Sequence, residues 1–192
     1  MQEYILIAGV NGSGKSTFYS STFASYPLIN SDVILAELGL DWKSRTNQFY
    51  AMEEALHRIY HNFENGVSFY QETTLAGNGC FRLIEKAHEK HFFIKMCYIG
   101  VDNPQIAIAR VKKRVLNGGH GVDEDTIMRR YTASLRNLLK IIPLCDEVII
   151  YDNSLKCEKR VFLKGGNLIY YDEGVKWIDE MMPRINAILS TV

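Results

Sequence analysis

The sequence predicts an α/β protein: three layers, α/β/α, around a mostly parallel sheet. Two observations predict it. Short apolar, strand-like runs alternate with helix-like segments along the chain. The first of these runs, Tyr4-Ile5-Leu6-Ile7-Ala8, passes directly into a glycine-rich turn from which a helix can start. Its 192 residues suit one domain of this kind. The expected organisation is a single domain over 1–192, with a helical lid at roughly 110–136 and a C-terminal β-hairpin and helix over 159–190.

In chain order, a first helix is expected over roughly Lys15–Phe23, then a short strand at Tyr26–Asn30 ending at Ser31-Asp32. From Ser44 to Glu64 the residues Phe49, Met52, Leu56, Ile59 and Phe63 are spaced 3, 4, 3, 4, which predicts one long helix with that stripe in the core. Asn65-Gly66 ends it as a C-cap. Val67–Gln71 reads as a strand terminating at Glu72-Thr73-Thr74, followed by a helix around Cys80–Glu89 and an apolar strand Phe92–Ile99. Helices near Pro104–Leu116 and Asp123–Leu139 flank the loop Asn117–Val122. Glu147–Tyr151 is a further strand, Arg160–Leu163 and Leu168–Tyr171 form a hairpin across Gly165-Gly166, and an amphipathic helix over Val175–Leu189 closes the fold.

Lys plus Arg and Asp plus Glu both number 22, so the overall charge gives no support for general binding to nucleic acid or to a membrane surface. The cysteines, Cys80, Cys97, Cys145 and Cys157, have no metal-type spacing and are expected as buried, reduced thiols. Met1-Gln2-Glu3 lacks a basic leader, and no apolar run approaches the ~18–20 residues that cross a bilayer. The expected location is the cytoplasm.

The segment Gly9-Val10-Asn11-Gly12-Ser13-Gly14-Lys15-Ser16 has the spacing Gly, four residues, Gly-Lys-Ser of a P-loop. In such a strand–loop–helix unit, backbone N–H groups and the positive end of the helix dipole converge on a phosphate. Gly12 and Gly14 are expected because a side chain would block close approach of the phosphate. Lys15 reaches the β- and γ-phosphates, and the Ser16 hydroxyl is a ligand for Mg²⁺. The predicted nucleotide-binding set is Gly9, Asn11, Gly12, Ser13, Gly14, Lys15, Ser16 and Thr17, with ATP as the nucleotide.

Ligands of open α/β sheets collect beyond the carboxyl ends of the strands, so polar residues there are candidates. Asp32 can accept the proton of an attacking hydroxyl, or it is a helix-start carboxylate favoured by the dipole. Glu72 and Thr73 can hold a substrate hydroxyl, or Glu72 can hold Mg²⁺ through water. Positive charge is concentrated at Arg110, Lys112, Lys113, Arg114, Arg129, Arg130 and Arg136, around the hinge-like Gly118-Gly119-His120-Gly121. A lid built this way can close over a triphosphate, with Arg114 and Arg130 as its functional cations. His120 contacts phosphate or occupies the loop tip. Asn153 and Ser154 frame the adenine or are ordinary turn residues. Glu147–Tyr151 followed by Asp152 also resembles a Walker-B strand, which would suit an ATPase switch acting on a protein partner.

Gly9–Ser16, Asn30-Ser31-Asp32, Glu72-Thr73-Thr74, Arg110 with Arg114, Gly118–Val122 and Ile127-Met128-Arg129-Arg130-Tyr131 occur in this order. Together they resemble the zeta-toxin-like P-loop kinases, over roughly residues 3–154. The resemblance implies transfer of the γ-phosphate of ATP, with Mg²⁺, to a hydroxyl of a small molecule such as the nucleotide sugar UDP-N-acetylglucosamine. It also implies a cognate antitoxin as partner. By resemblance Asp32 is the base, Lys15 and Ser16 hold phosphate and Mg²⁺, and Glu72 and Thr73 contact substrate. Arg110 or Arg114 matches the first of two arginines facing the γ-phosphate. The second falls near Gly119-His120, where the match departs, and Arg129 or Arg130 is the substitute.

Overall fold

The computed structural model describes residues 1–22 and 26–191. A single sheet runs through it in the order β2 (Leu28–Ile29), β3 (Phe69–Thr73), β1 (Glu3–Ala8), β4 (Phe93–Gly100), β5 (Glu147–Asp152), β6 (Glu158–Lys164) and β7 (Asn167–Tyr171). The five strands from β2 to β5 are parallel, and β6 and β7 continue the edge as an antiparallel hairpin. The helices are α1 (Lys15–Thr22), α2 (Ser31–Glu37), α3 (Arg45–Glu64), α4 (Gly79–Glu89), α5 (Pro104–Leu116), α6 (Glu124–Ile141), α7 (Lys176–Asp179) and α8 (Met182–Leu189). Phe23, where the first helix was expected to end, lies outside the described residues.

Alternation along β1 divides the core. Tyr4, Leu6 and Ala8 face a large cluster with residues of α3, α4, α6 and α8, whereas Ile5 and Ile7 face a smaller one with Phe18 of α1, Tyr70, Cys97 and Ile99. The two faces of the sheet are thus unequally covered. A third cluster joins Val10 and Val101 to Ala107, Ile108 and Val111 of α5 and Ile127 of α6. It fixes the two basic helices against the loop after β1.

Three expectations are corrected. The buried stripe of α3 is Ala51, Ala55, Ile59 and Phe63, and Phe49, Met52 and Leu56 are exposed. Ile59 and Phe63 are buried as expected, but Ala51 and Ala55 take the place of Phe49, Met52 and Leu56, because small alanines let α3 approach the sheet. The C-terminal helix is two helices, since Pro183 in the first turn of α8 lacks the N–H that a continuous helix needs. Cys80 and Cys97 are buried, with burial raising the Cys97 thiol to about 12, but Cys157 is exposed and Cys145 half-buried. Among the described residues no helix is long and apolar enough to cross a membrane.

Candidate phosphate-binding and acceptor site

The ends of β1 and β3 create the site. Their parallel register sets Ile7 beside Glu72 and Ala8 beside Thr73, and the Gly9 N–H donates to the Thr73 carbonyl at 3.2 Å. The loop Gly9–Gly14 then turns back over the start of α1. Gly12 and Gly14 have φ of +82° and +101°, in the left-handed region that favours glycine. The crowding comes from the protein itself. A Cβ on Gly12 would lie 2.4 Å from the Ala107 carbonyl oxygen, and one on Gly14 would lie 2.3 Å from the Asn153 amide nitrogen. Contacts within the protein are thus enough to require glycine at both positions.

Asn153 supports that underside directly: its amide donates to the Ser13 carbonyl at 2.7 Å. Ser13 and Thr17 differ in setting, the first fully buried and the second exposed. Asp152 beside it is buried and accepts from the Trp177 indole at 2.8 Å and from the Ser154 hydroxyl at 2.7 Å. A carboxylate so engaged does not serve as the free acid of a Walker-B strand.

Lys15 is buried, and its Nζ donates to the Val10 carbonyl at 3.1 Å and lies 3.7 Å from Glu72 Oε1. Burial pulls its ammonium below the ordinary 10.5; the Glu72 and Asp32 carboxylates oppose that shift and the Arg114 guanidinium adds to it. The Ser16 hydroxyl is 3.2 Å from Glu72 Oε2. That hydroxyl and carboxylate are oxygen donors of the kind Mg²⁺ takes, and Mg²⁺ is commonly held by one or two protein oxygens plus waters and substrate phosphates. Among the described residues no group of three or more His, Cys, Asp or Glu residues could hold a metal ion. The donor set fits Mg²⁺ brought in with a nucleotide better than a metal held by the protein alone.

Beside the loop opens a cavity of about 390 Å³ whose wall brings together Asn11, Lys15, Asp32, Glu72, Thr73, His120 and Arg130. Asp32 stands at the start of α2, where Asn30 is the N-cap and accepts from the Asp32 N–H at 2.8 Å. Its carboxylate is exposed to the cavity. Thr73 is turned to its own loop, its hydroxyl accepting from the Leu75 N–H at 3.1 Å.

The basic residues separate. Arg130 Nη1 donates to Asn11 Oδ1 at 2.8 Å, and Arg114 Nε donates to the His120 carbonyl at 2.7 Å. Arg110 Nη2 instead donates to the Ser154 carbonyl at 3.0 Å, and Arg129 to the Thr126 hydroxyl at 3.2 Å. Lys112 pairs with Glu124 at 2.7 Å. Of these, Arg130 alone bonds a residue of the loop after β1, through Asn11, whereas Arg114 is held on the 117–122 loop with its charge still felt at Lys15.

Sequence reasoning missed Trp42, whose ring is stacked on His120 with centroids 4.6 Å apart and holds the 117–122 loop against the segment before α3. It also missed Gln48, Gln71, Met52 and Leu56 on the cavity wall. No motif marks them. Met52 and Leu56 were visible only as members of a stripe assigned to the core.

No family profile matches the chain. An uncharacterized protein of Haemophilus influenzae is 34% identical over 128 residues, which cover 66% of this chain and 91% of that protein. Among solved structures, a chain of the PezAT chromosomal toxin–antitoxin system of Streptococcus pneumoniae is 13% identical with a TM-score of 0.64, over 100% of this chain and 86% of that one. A chain of the AvrRxo1-ORF1:-ORF2 structure with ATP is 12% identical with a TM-score of 0.67, over 100% of this chain and 76% of that one. A chain of the same pair with sulphate ions reaches a TM-score of 0.68 at 12% identity over 94% of this chain, which spans 63% of its length.

Proposed function

We propose that this chain, which belongs to one family with the Haemophilus influenzae protein and has the fold of the zeta-toxin-like P-loop kinases, is an ATP-dependent phosphotransferase acting on a small-molecule hydroxyl. The observation that carries the reading is the cavity itself, where Asp32 and Glu72 share one wall with Lys15 and Arg130 beside a P-loop. A γ-phosphate lying between the loop and Arg130 would face Asp32. The Asp32 carboxylate takes the proton of the acceptor hydroxyl, the acceptor oxygen bonds to the γ-phosphorus, and the bond to the β–γ bridging oxygen breaks to release ADP.

Lys15, Arg114 and Arg130 stabilise the charge that spreads over the transferring group, and burial of Lys15 strengthens that interaction. Ser16 and Glu72 would hold Mg²⁺, which neutralises the phosphate oxygens when bound. Asn153 and Arg110 keep the loop after β5 beside the phosphate loop, where an adenine would be accommodated. A reaction that consumes ATP is in keeping with a cytoplasmic location.

The PezAT structure is that of a toxin–antitoxin system, which motivates an antitoxin protein as partner. UDP-N-acetylglucosamine is the acceptor that the sequence resemblance implies, and it enters the assay on that ground alone. A radiolabelled-ATP transfer assay over a metabolite library containing it tests the reading. Asp32→Asn is expected to keep Mg-ATP affinity and lose ~10²–10⁴-fold in transfer. Wild-type transfer by that variant to the true acceptor would remove Asp32 from the role of base.

A further inference from the structure

The cavity is lined by two unlike sets of residues. Lys15, Arg130, Asp32 and Glu72 are charged and gather at the phosphate loop; Ala55, Ile59, Leu35 and Leu83, from α2, α3 and α4, are apolar. Met52 and Leu56 form the rim of the cavity, 53% and 42% exposed although large and apolar. Exposed apolar side chains that converge on a cavity mark a surface awaiting an apolar ligand group.

Charge points the same way. Among the described residues lining the cavity, Lys15 and Arg130 are the only lysine or arginine, and both are engaged at the phosphate loop, with Val10 and Glu72 and with Asn11. An ATP tail would claim them. A diphosphate in the acceptor would then stand among Asp32, Glu72 and the γ-phosphate with no lining cation of its own. Arg58, on the opposite part of α3, is already paired with Glu37 at 3.0 Å and Glu54 at 2.8 Å. A volume of about 390 Å³ is also at the small end of ligand cavities, which run ~300–1,000 Å³.

We propose that the acceptor is an uncharged alcohol with a short apolar arm: its hydroxyl meets Asp32 and its arm lies along Met52 and Leu56, so that a nucleotide sugar is excluded. This rests on the kinase reading of the same site. Gln48 and Gln71, both on the wall, are neutral polar groups; Gln48 donates to the Trp42 carbonyl at 2.6 Å and Gln71 accepts from the Tyr4 hydroxyl, which leaves the Gln48 carbonyl oxygen and the Gln71 amide nitrogen for a ligand.

The test is calorimetry with a homologous series of methyl, butyl and hexyl β-D-glucopyranosides, on wild-type protein holding Mg²⁺ and a non-hydrolysable ATP analogue. Affinity is expected to rise about fourfold per methylene. The increment is expected to vanish in a Met52→Asp, Leu56→Asp double variant of unchanged melting temperature, both positions being exposed. A flat series in the wild type, or UDP-N-acetylglucosamine binding more tightly than hexyl glucoside, overturns the proposal. Heat from the ATP analogue itself reports on the kinase reading separately. A graded series without that heat sinks the kinase reading and leaves the ligand class standing; that heat with a flat series sinks the ligand class alone.

Discussion

At the residue scale, Lys15 shows how a binding loop is kept at the expense of the free fold. Its ammonium is buried among groups that only partly offset the loss of water, so its proton is held less tightly than in the unfolded chain. The unfolded chain therefore binds more protons just below pH 10.5, and stability gains from this group as pH rises through the interval between its lowered value and 10.5. Lys15→Met is expected to abolish Mg-ATP binding while raising the denaturation midpoint of the nucleotide-free protein. The difference between wild type and variant should shrink as pH climbs towards 10.5, which urea titrations at several pH values would measure. Gly14→Ala should cost ~1–3 kcal/mol, because φ is +101° and the added Cβ meets Asn153 at 2.3 Å. If Asn153→Ala in the same background fails to recover part of that loss, the collision is not its source.

At the scale of elements, α3 is the informative case. Ile59 is fully buried and Met52 is not, though both belong to the same 3, 4, 3, 4 spacing. Ile59→Ala should cost ~2–5 kcal/mol and Met52→Ala less than ~0.5 kcal/mol in chemical denaturation. Equal losses would return Met52 to the core. The 117–122 loop is held by a contact with the segment before α3: Trp42 stacks on His120, and the His120 carbonyl accepts from Arg114. Trp42→Ala is expected to lower kcat and alter KM together, by up to ~100-fold in kcat/KM, with Trp42→Phe recovering most of it. Unchanged kinetics would leave the stack as packing without a part in closure.

At the scale of the whole molecule, the two ends of the chain are joined at the site. Trp177, from the C-terminal segment, lies under Gly100, where a Cβ would be 2.3 Å from its ring, and donates to Asp152. Asp152 precedes the Asn153 that holds the phosphate loop. Trp177→Ala should cost ~3–5 kcal/mol and weaken Mg-ATP binding at a distance, measured by denaturation and calorimetry on one preparation. The strand, the glycine-rich turn and the helix start at residues 4–16 were legible in the sequence because that unit is built from chain neighbours and needs no distant partner to be specified. The alternation of elements and the hairpin were legible for the same reason, since periodicity and turn residues act over a few positions. Which face of α3 is buried, which arginines meet the loop, and that Trp42 covers His120 were decided only by tertiary structure. Asn11 and Arg130 are 119 positions apart. Burial and long-range contact depend on what the opposing element presents, and the pattern within one segment carries no record of that.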